Sequence, residues 1–234
     1  MQGSYQKTTP VHALLKTQPN LRWPRATWAA SHVKRQAASV LLSSVGTLKL
    51  NQRVVVTGGA GAGKTALLTA LAVRGYAHVP ESARAIIQDR KRRGLAPRPP
   101  PAEFAQEILR VDVERYRCPS ETAGYTFFDR GILDALCMLD QLRLLTPVDT
   151  SRYLADYPYF RTVFALPPWQ QIYKTDDERD QTFVEAVGVH DTLCGWYVAC
   201  GYEVLEVPRT SVEKRCEFIL QMLEKHRRPD KEPQ

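Results

Sequence analysis

The first 50 residues of the chain contain no aspartate and no glutamate. Their seven basic side chains, Lys7, Lys16, Arg22, Arg25, Lys34, Arg35 and Lys49, match the whole net charge of +7. Of the 32 basic residues, 25 therefore fall in the remainder, where they meet 25 acidic ones. That part carries no basic footprint, so a specific nucleic-acid partner is not expected. Long apolar runs are missing too. None approaches the roughly 18 residues that a membrane-spanning helix needs, so a soluble protein is expected. The five cysteines, Cys118, Cys137, Cys194, Cys200 and Cys216, are odd in number and show no C-x-x-C or histidine-paired spacing. This excludes a zinc cluster and predicts reduced, buried thiols in a reducing compartment. What is present is a hydrophobic content of 44% over 234 residues, enough to bury a full core in one domain of ordinary size.

The informative stretch is Gly58-Gly59-Ala60-Gly61-Ala62-Gly63-Lys64-Thr65, which fits G-x-x-x-x-G-K-[ST]. It follows the apolar run Arg53-Val54-Val55-Val56-Thr57 and precedes the helix-forming run Ala66 to Ala72. Such a strand, loop and helix form a phosphate-binding loop. Its backbone N–H groups turn inward around phosphate oxygens, a geometry a Cβ would obstruct. Lys64 is then placed to reach the β- and γ-phosphates, and Thr65 to offer a hydroxyl to Mg²⁺. The helix that opens there points its positive end at the anion. A Gly-rich turn without a ligand is the plain alternative.

Residues 1–50 form a basic arm with three readings: an organelle transit peptide, a translated stretch upstream of the true start, or a disordered arm. The compartment follows from that choice, cytoplasmic in general and an organelle matrix if the arm is a transit peptide. Residues 51–228 are expected to form the nucleotide-binding domain, and 229–234 a disordered tail. Within the domain, β-rich and helical runs alternate, the mark of parallel βαβ units. Strands are expected at 53–57, 76–80, 125–128, 161–166 and 202–207. Helices are expected at 82–93, 102–117, 132–145 and 182–200, with a last helix capped by a Thr210/Glu213 box. The predicted fold is an α/β P-loop NTPase: a five-stranded, mostly parallel, doubly wound sheet with helices on both faces. Ligands of such sheets sit at the carboxyl ends of the strands.

That rule brings Glu81, Asp129 and the phosphate loop to one edge. Asp129 ends an apolar strand, where it would hold Mg²⁺ or accept a substrate hydroxyl proton; a turn-forming Asp is the alternative. Arg130 would bind a phosphate or substrate oxygen, or pair structurally with a neighbouring carboxylate. Glu81 would act as general base while Arg84, one helical turn on, orients the acceptor; an i,i+3 surface pair is the plain reading. Lys174 and Arg179, in the polar segment after the fourth strand, are candidates to close over the γ-phosphate, against a solvated charged loop. The acceptor is expected to be read by the helical segment 95–125 and the loop 145–160.

These residues resemble the P-loop ATPase/kinase-like family called AAA-28 or NadR-like, over residues 53 to about 223. The resemblance rests on the phosphate loop, Val79-Pro80-Glu81-Ser82-Ala83-Arg84, Phe127-Phe128-Asp129-Arg130-Gly131, and Ala165-Leu166-Pro167-Pro168-Trp169 with Tyr173 and Glu178-Arg179. It implies nucleotide binding, ATP or GTP with Mg²⁺, and kinase chemistry related to that of nicotinamide riboside kinase domains. It also covers nucleotide-dependent, lipid-responsive relatives. The Asp129-Arg130 pair looks like that of thymidylate kinases and their nucleoside kinase cousins. A hexameric motor, which ends this strand with Asp-Glu, is not implied. A small GTPase is not implied either, because no D-x-x-G follows the strand. Tyr173-Lys174-Thr175-Asp176 matches most of the guanine-reading N-K-x-D but lies beyond the fourth strand, so base choice stays open. The leading expectation is a phosphotransferase acting on a small, nucleoside-like hydroxyl acceptor. Lys64 and the loop would hold phosphates, Thr65 and Asp129 the metal, Glu81 or Asp129 the acceptor proton, Arg84 and Arg130 the acceptor, and Arg179 the transferring group. The alternative is a nucleotide-binding regulatory or lipid-responsive protein with slow or no hydrolysis, its basic arm favouring anionic lipid.

Overall fold

The computed structural model describes residues 52–118, 124–173 and 182–227. The basic arm and Lys174, Thr175, Asp176 and Arg179 lie outside the described residues. The elements run β1 (Arg53–Gly58), α1 (Lys64–Val73), β2 (Ala77–Val79), α2 (Ser82–Arg92), α3 (Pro101–Arg117), β3 (Thr126–Asp129), α4 (Ile132–Gln141), α5 (Pro147–Asp156), β4 (Thr162–Leu166), a 3-10 turn (Gln170–Ile172), α6 (Phe183–Ala199), β5 (Glu203–Glu206) and α7 (Val212–Arg227).

The five strands form one sheet in the order β2-β3-β1-β4-β5, and every neighbouring pair is parallel. Strand side chains alternate, so β1 feeds both faces. Val55 points into a core with Phe128, Val163, Leu133 and Leu136 of α4, and Trp196 and Tyr197 of α6. Val54 and Val56 point the other way, to Leu67 and Leu71 of α1 and Ile219 and Leu223 of α7. A smaller cluster, Ile86, Ile87, Phe104, Ile108 and Ala135, joins α2, α3 and α4 beside the carboxyl end of β2. β1 therefore lies mid-sheet, and its carboxyl end opens between β3 and β4.

Three local expectations are corrected. The helix expected over 132–145 stops at Gln141, where Arg143 turns with φ 58° and the Leu144 N–H returns to the Leu139 carbonyl. Residues 147–156, read from sequence as loop, are α5. Thr146 caps it reciprocally with Asp149, and Pro147 at the first helical position presets the backbone. The last helix is capped by Ser211 rather than Thr210. The Lys214 N–H donates to Ser211 Oγ at 3.4 Å, while the Thr210 N–H is taken by the Pro208 carbonyl. All five cysteines are free thiols; Cys137, Cys200 and Cys216 are buried, but Cys118 is exposed. No helix among the described residues is long and apolar enough to cross a membrane.

Candidate functional site

The phosphate loop is held in shape by what presses on its outside. Gly61 and Gly63 have φ of 71° and 81°, in the left-handed region where glycine carries no Cβ penalty. There is also no room for a larger residue. A Cβ on Gly61 would meet the Tyr173 ring at 2.5 Å, and one on Gly63 would lie 2.9 Å from Arg215. Lys64 opens α1 and is buried, its Nζ donating to the carbonyls of Gly58 (3.0 Å) and Gly59 (2.8 Å). The ammonium is thus stationed at the mouth of the loop by the loop's own backbone. Thr65, one residue on, is exposed.

Across from the loop, β3 ends in Asp129 and turns sharply into α4 through Arg130, whose φ is 67°. That conformation is costly for a residue with a Cβ, and it persists only where surroundings over-determine it. They do. Arg130 Nε donates to Glu81 Oε1 at 2.9 Å, and Nη1 donates to Asp134 Oδ1 at 3.1 Å. Asp134, buried at the start of α4, also accepts from Thr57 Oγ1 at the end of β1 (2.7 Å), from Tyr197 of α6 (2.6 Å), and from the Gly131 N–H (3.1 Å). One carboxylate therefore joins β1, the β3–α4 turn and α6. Burial works against the Arg130 charge, but Glu81, Asp134 and Asp129 together hold its pKa above the ordinary value. Glu81 is likewise penalised by burial, yet Arg130 and Lys64 keep its carboxyl below the usual range, so it is ionised at neutral pH.

Asp129 is the opposite case. Its Oδ1 is buried with no hydrogen-bond partner among the described residues, and burial raises its pKa. Thr65 and Asp129 line one small cavity of about 260 Å³. A hydroxyl and an unsatisfied carboxylate facing the same space are the oxygen donors Mg²⁺ takes, and a P-loop lies beside them, so the residues present fit Mg²⁺·nucleotide.

A larger cleft of about 440 Å³ opens beside the loop. Lys64, Glu81, Arg84, Arg130 and Asp112 line it, as do the apolar Phe104, Ile108, Ile87 and Met138, with Arg98 and Gln141 also in the lining. Phe104, Ile108 and Asp112 follow at four-residue spacing, so one stripe of α3 grades from apolar to acidic. Asp112 accepts from Ser82 Oγ, and burial pushes its carboxyl up to about 7. Of the residues singled out from sequence, the loop, Lys64, Thr65, Glu81, Arg84, Asp129 and Arg130 all meet at this edge of the sheet. Asp134 and Asp112 were not foreseen. An acid in the apolar stripe of α3 marks Asp112 in retrospect, and an acid three residues after Gly131 marks Asp134 as a helix-start acceptor.

The fold is similar to that of deoxyadenosine kinase from M. mycoides with bound dATP (TM-score 0.50, 14% identity, covering 74% of this chain and 98% of that one). A second structure of that enzyme, with its products dCMP and dCDP, aligns with TM-score 0.51 and 14% identity over 74% and 99% of the two chains. Shikimate kinase from Acinetobacter baumannii in complex with shikimate aligns with TM-score 0.49 and 16% identity over 77% and 97%. The deoxyadenosine kinase likeness shows a P-loop kinase-like fold. No curated protein matches the chain. The model of the family described as an AAA domain matches residues 53–215, and with its phosphate loop and parallel sheet the chain belongs to this family, AAA_28.

Proposed function

We propose that this protein is a Mg²⁺·ATP- or GTP-dependent kinase for a small, nucleoside-like hydroxyl acceptor. The observation that carries the reading is the cleft. A substrate-sized space is lined by Lys64 and Ala60 of the phosphate loop and by the α3 stripe that runs from Asp112 through Ile108 to Phe104. A hydroxylated ring would lie at the charged end and a flat apolar group at the other. The deoxyadenosine kinase likeness, over 74% of the chain, agrees with a nucleoside-like acceptor.

The roles follow from position. The loop amides and Lys64 bind the phosphates; Thr65 and Asp129 would hold the metal, which when bound neutralises charge on the transferring group. Glu81 lines both the acceptor cleft and the smaller cavity beside Thr65, whereas Asp129 lines only the smaller one, which favours Glu81 as the base. The acceptor oxygen bonds to the γ-phosphorus as the bond to the β–γ bridging oxygen breaks. Its proton passes to Glu81, and the nucleoside diphosphate leaves. Arg130, locked between Glu81 and Asp134, holds the base at the cleft floor and faces the acceptor, with Arg84 on the same wall. Because the transition state is loose, orientation and charge matter more than a strongly basic carboxylate.

The test is diphosphate release from ATP or GTP with Mg²⁺ against a panel of nucleosides and small alcohols. Release that depends on one acceptor class, and is lost in Glu81→Gln, is the expected result. Tight nucleotide binding with slow release that no acceptor accelerates would replace this reading with a nucleotide-dependent regulator.

A further inference from the structure

Behind the phosphate loop, on α7, stands a buried cation that the scheme above does not use. Arg215 is 4% exposed. Its Nη1 donates to the Ala62 carbonyl at 3.4 Å and lies 2.9 Å from the place a Cβ on Gly63 would take. The Trp169 ring covers the guanidinium, 5.7 Å away at its centroid. Arg215 Nε is buried without a hydrogen-bond partner, and no carboxylate among the described residues is within ion-pair distance of the side chain. The acids nearest in sequence, Glu213 and Glu217, are both exposed, and the burial that lowers the Arg215 pKa outweighs the opposing Glu213 charge.

A guanidinium taken out of water is normally kept only where an anion or a full set of acceptors meets it. Here the acceptors are incomplete, and the anion the fold delivers to this place is the polyphosphate in the loop that Arg215 backs. Lys64 is engaged with carbonyls at the other end of the same loop, Gly58 and Gly59. We propose that Arg215 is a positioning residue of the nucleotide site. It braces the Ala62–Gly63 peptide from outside, and its charge makes the loop discriminate by phosphate number. The inference rests on the nucleotide reading above and adds to it a preference for triphosphate over monophosphate that originates outside the loop.

The test measures the affinity of the full chain with Mg²⁺ for ATP, ADP and AMP in wild type, Arg215→Met and Arg215→Lys. A charge seen through one peptide layer predicts about tenfold weaker ATP binding in Arg215→Met, a smaller loss for ADP, and AMP within about twofold of wild type. Arg215→Lys, which keeps the charge, is expected to recover most of the ATP affinity. Denaturant midpoints without nucleotide report whether each variant folds. If the methionine variant does not, Arg215→Gln, which keeps a donor for the Ala62 carbonyl, is measured in its place. Equal losses for all three nucleotides, no loss, or no recovery by lysine would each overturn the inference while leaving nucleotide binding in place. A wild-type chain that binds none of the three overturns both.

Discussion

The phosphate loop and the cleft beside it, the proposed acceptor end, are built in different ways. The phosphate end is eight consecutive residues, Gly58 to Thr65, whose shape follows from glycines at positive φ and from the helix that starts at Lys64. The acceptor end has no such contiguity. Glu81 and Arg130 stand 49 residues apart, Thr57 and Asp134 stand 77 apart, and Tyr197 joins from a further element. A local motif can grip phosphates because every phosphate is alike; selection of an acceptor needs groups that only tertiary packing can gather. The contrast is sharpest between two acids of one turn. Asp134 has its oxygens filled by Thr57, Arg130, Gly131 and Tyr197, whereas Asp129 leaves Oδ1 bare.

The sharpest way to break this comparison is Lys64→Ala, for which nucleotide-dependent thermal stabilisation should vanish. In a binding-competent chain that stabilisation is about 2.7 kcal/mol at a ligand concentration of 100 times Kd. An unchanged shift in the variant would remove the loop from the site. Next in size, Asp129→Asn should lower acceptor-dependent turnover by about 10²- to 10³-fold, as loss of a fixed electrostatic contact does. Its denaturant midpoint should match or exceed that of wild type, because burial opposes the Asp129 charge in the fold. Asp134→Ala should do the reverse in urea melts. With Thr57 and Tyr197 left without their acceptor and Arg130 keeping only Glu81, it should destabilise the chain by roughly 3 kcal/mol. If the two acids behave alike in both assays, the division between a structural and a metal-facing carboxylate fails.

The last effect is in pH. Asp112 titrates near 7 when folded against 3.8 as its ordinary value, so between those values the folded chain keeps a proton that the unfolded chain has lost. Its contribution to stability therefore falls as pH rises through that window, and Asp112→Asn should flatten that part of the curve. Glu81 acts with the opposite sign. Its lowered pKa contributes stability above about 4.5 that is lost as pH falls below it, and Glu81→Gln should remove the acid-side loss. Urea midpoints of the two variants across pH 3 to 8 separate these slopes.

Much of this was legible in the chain itself. The glycine spacing from 58 to 65, the β-branched run before it and the alternation after it determine a phosphate loop on a parallel sheet, because loop geometry and strand and helix periods are local properties. Strand-end logic also brought Glu81, Asp129 and Arg130 to one edge. Ser211 shows the limit even of local reading: Thr210 and Ser211 are competing caps one residue apart, and hydrogen bonds decide between them. Tertiary structure alone decided that Arg130 pairs with both Glu81 and Asp134 while it lines the cleft. It also decided that Asp129 stays unsatisfied, that Asp112 faces the cleft, and that Arg215 reaches the loop from 153 residues away. Each of these depends on which groups share a low-dielectric space. That is set by the order in which the strands pack, and no spacing along the chain encodes it.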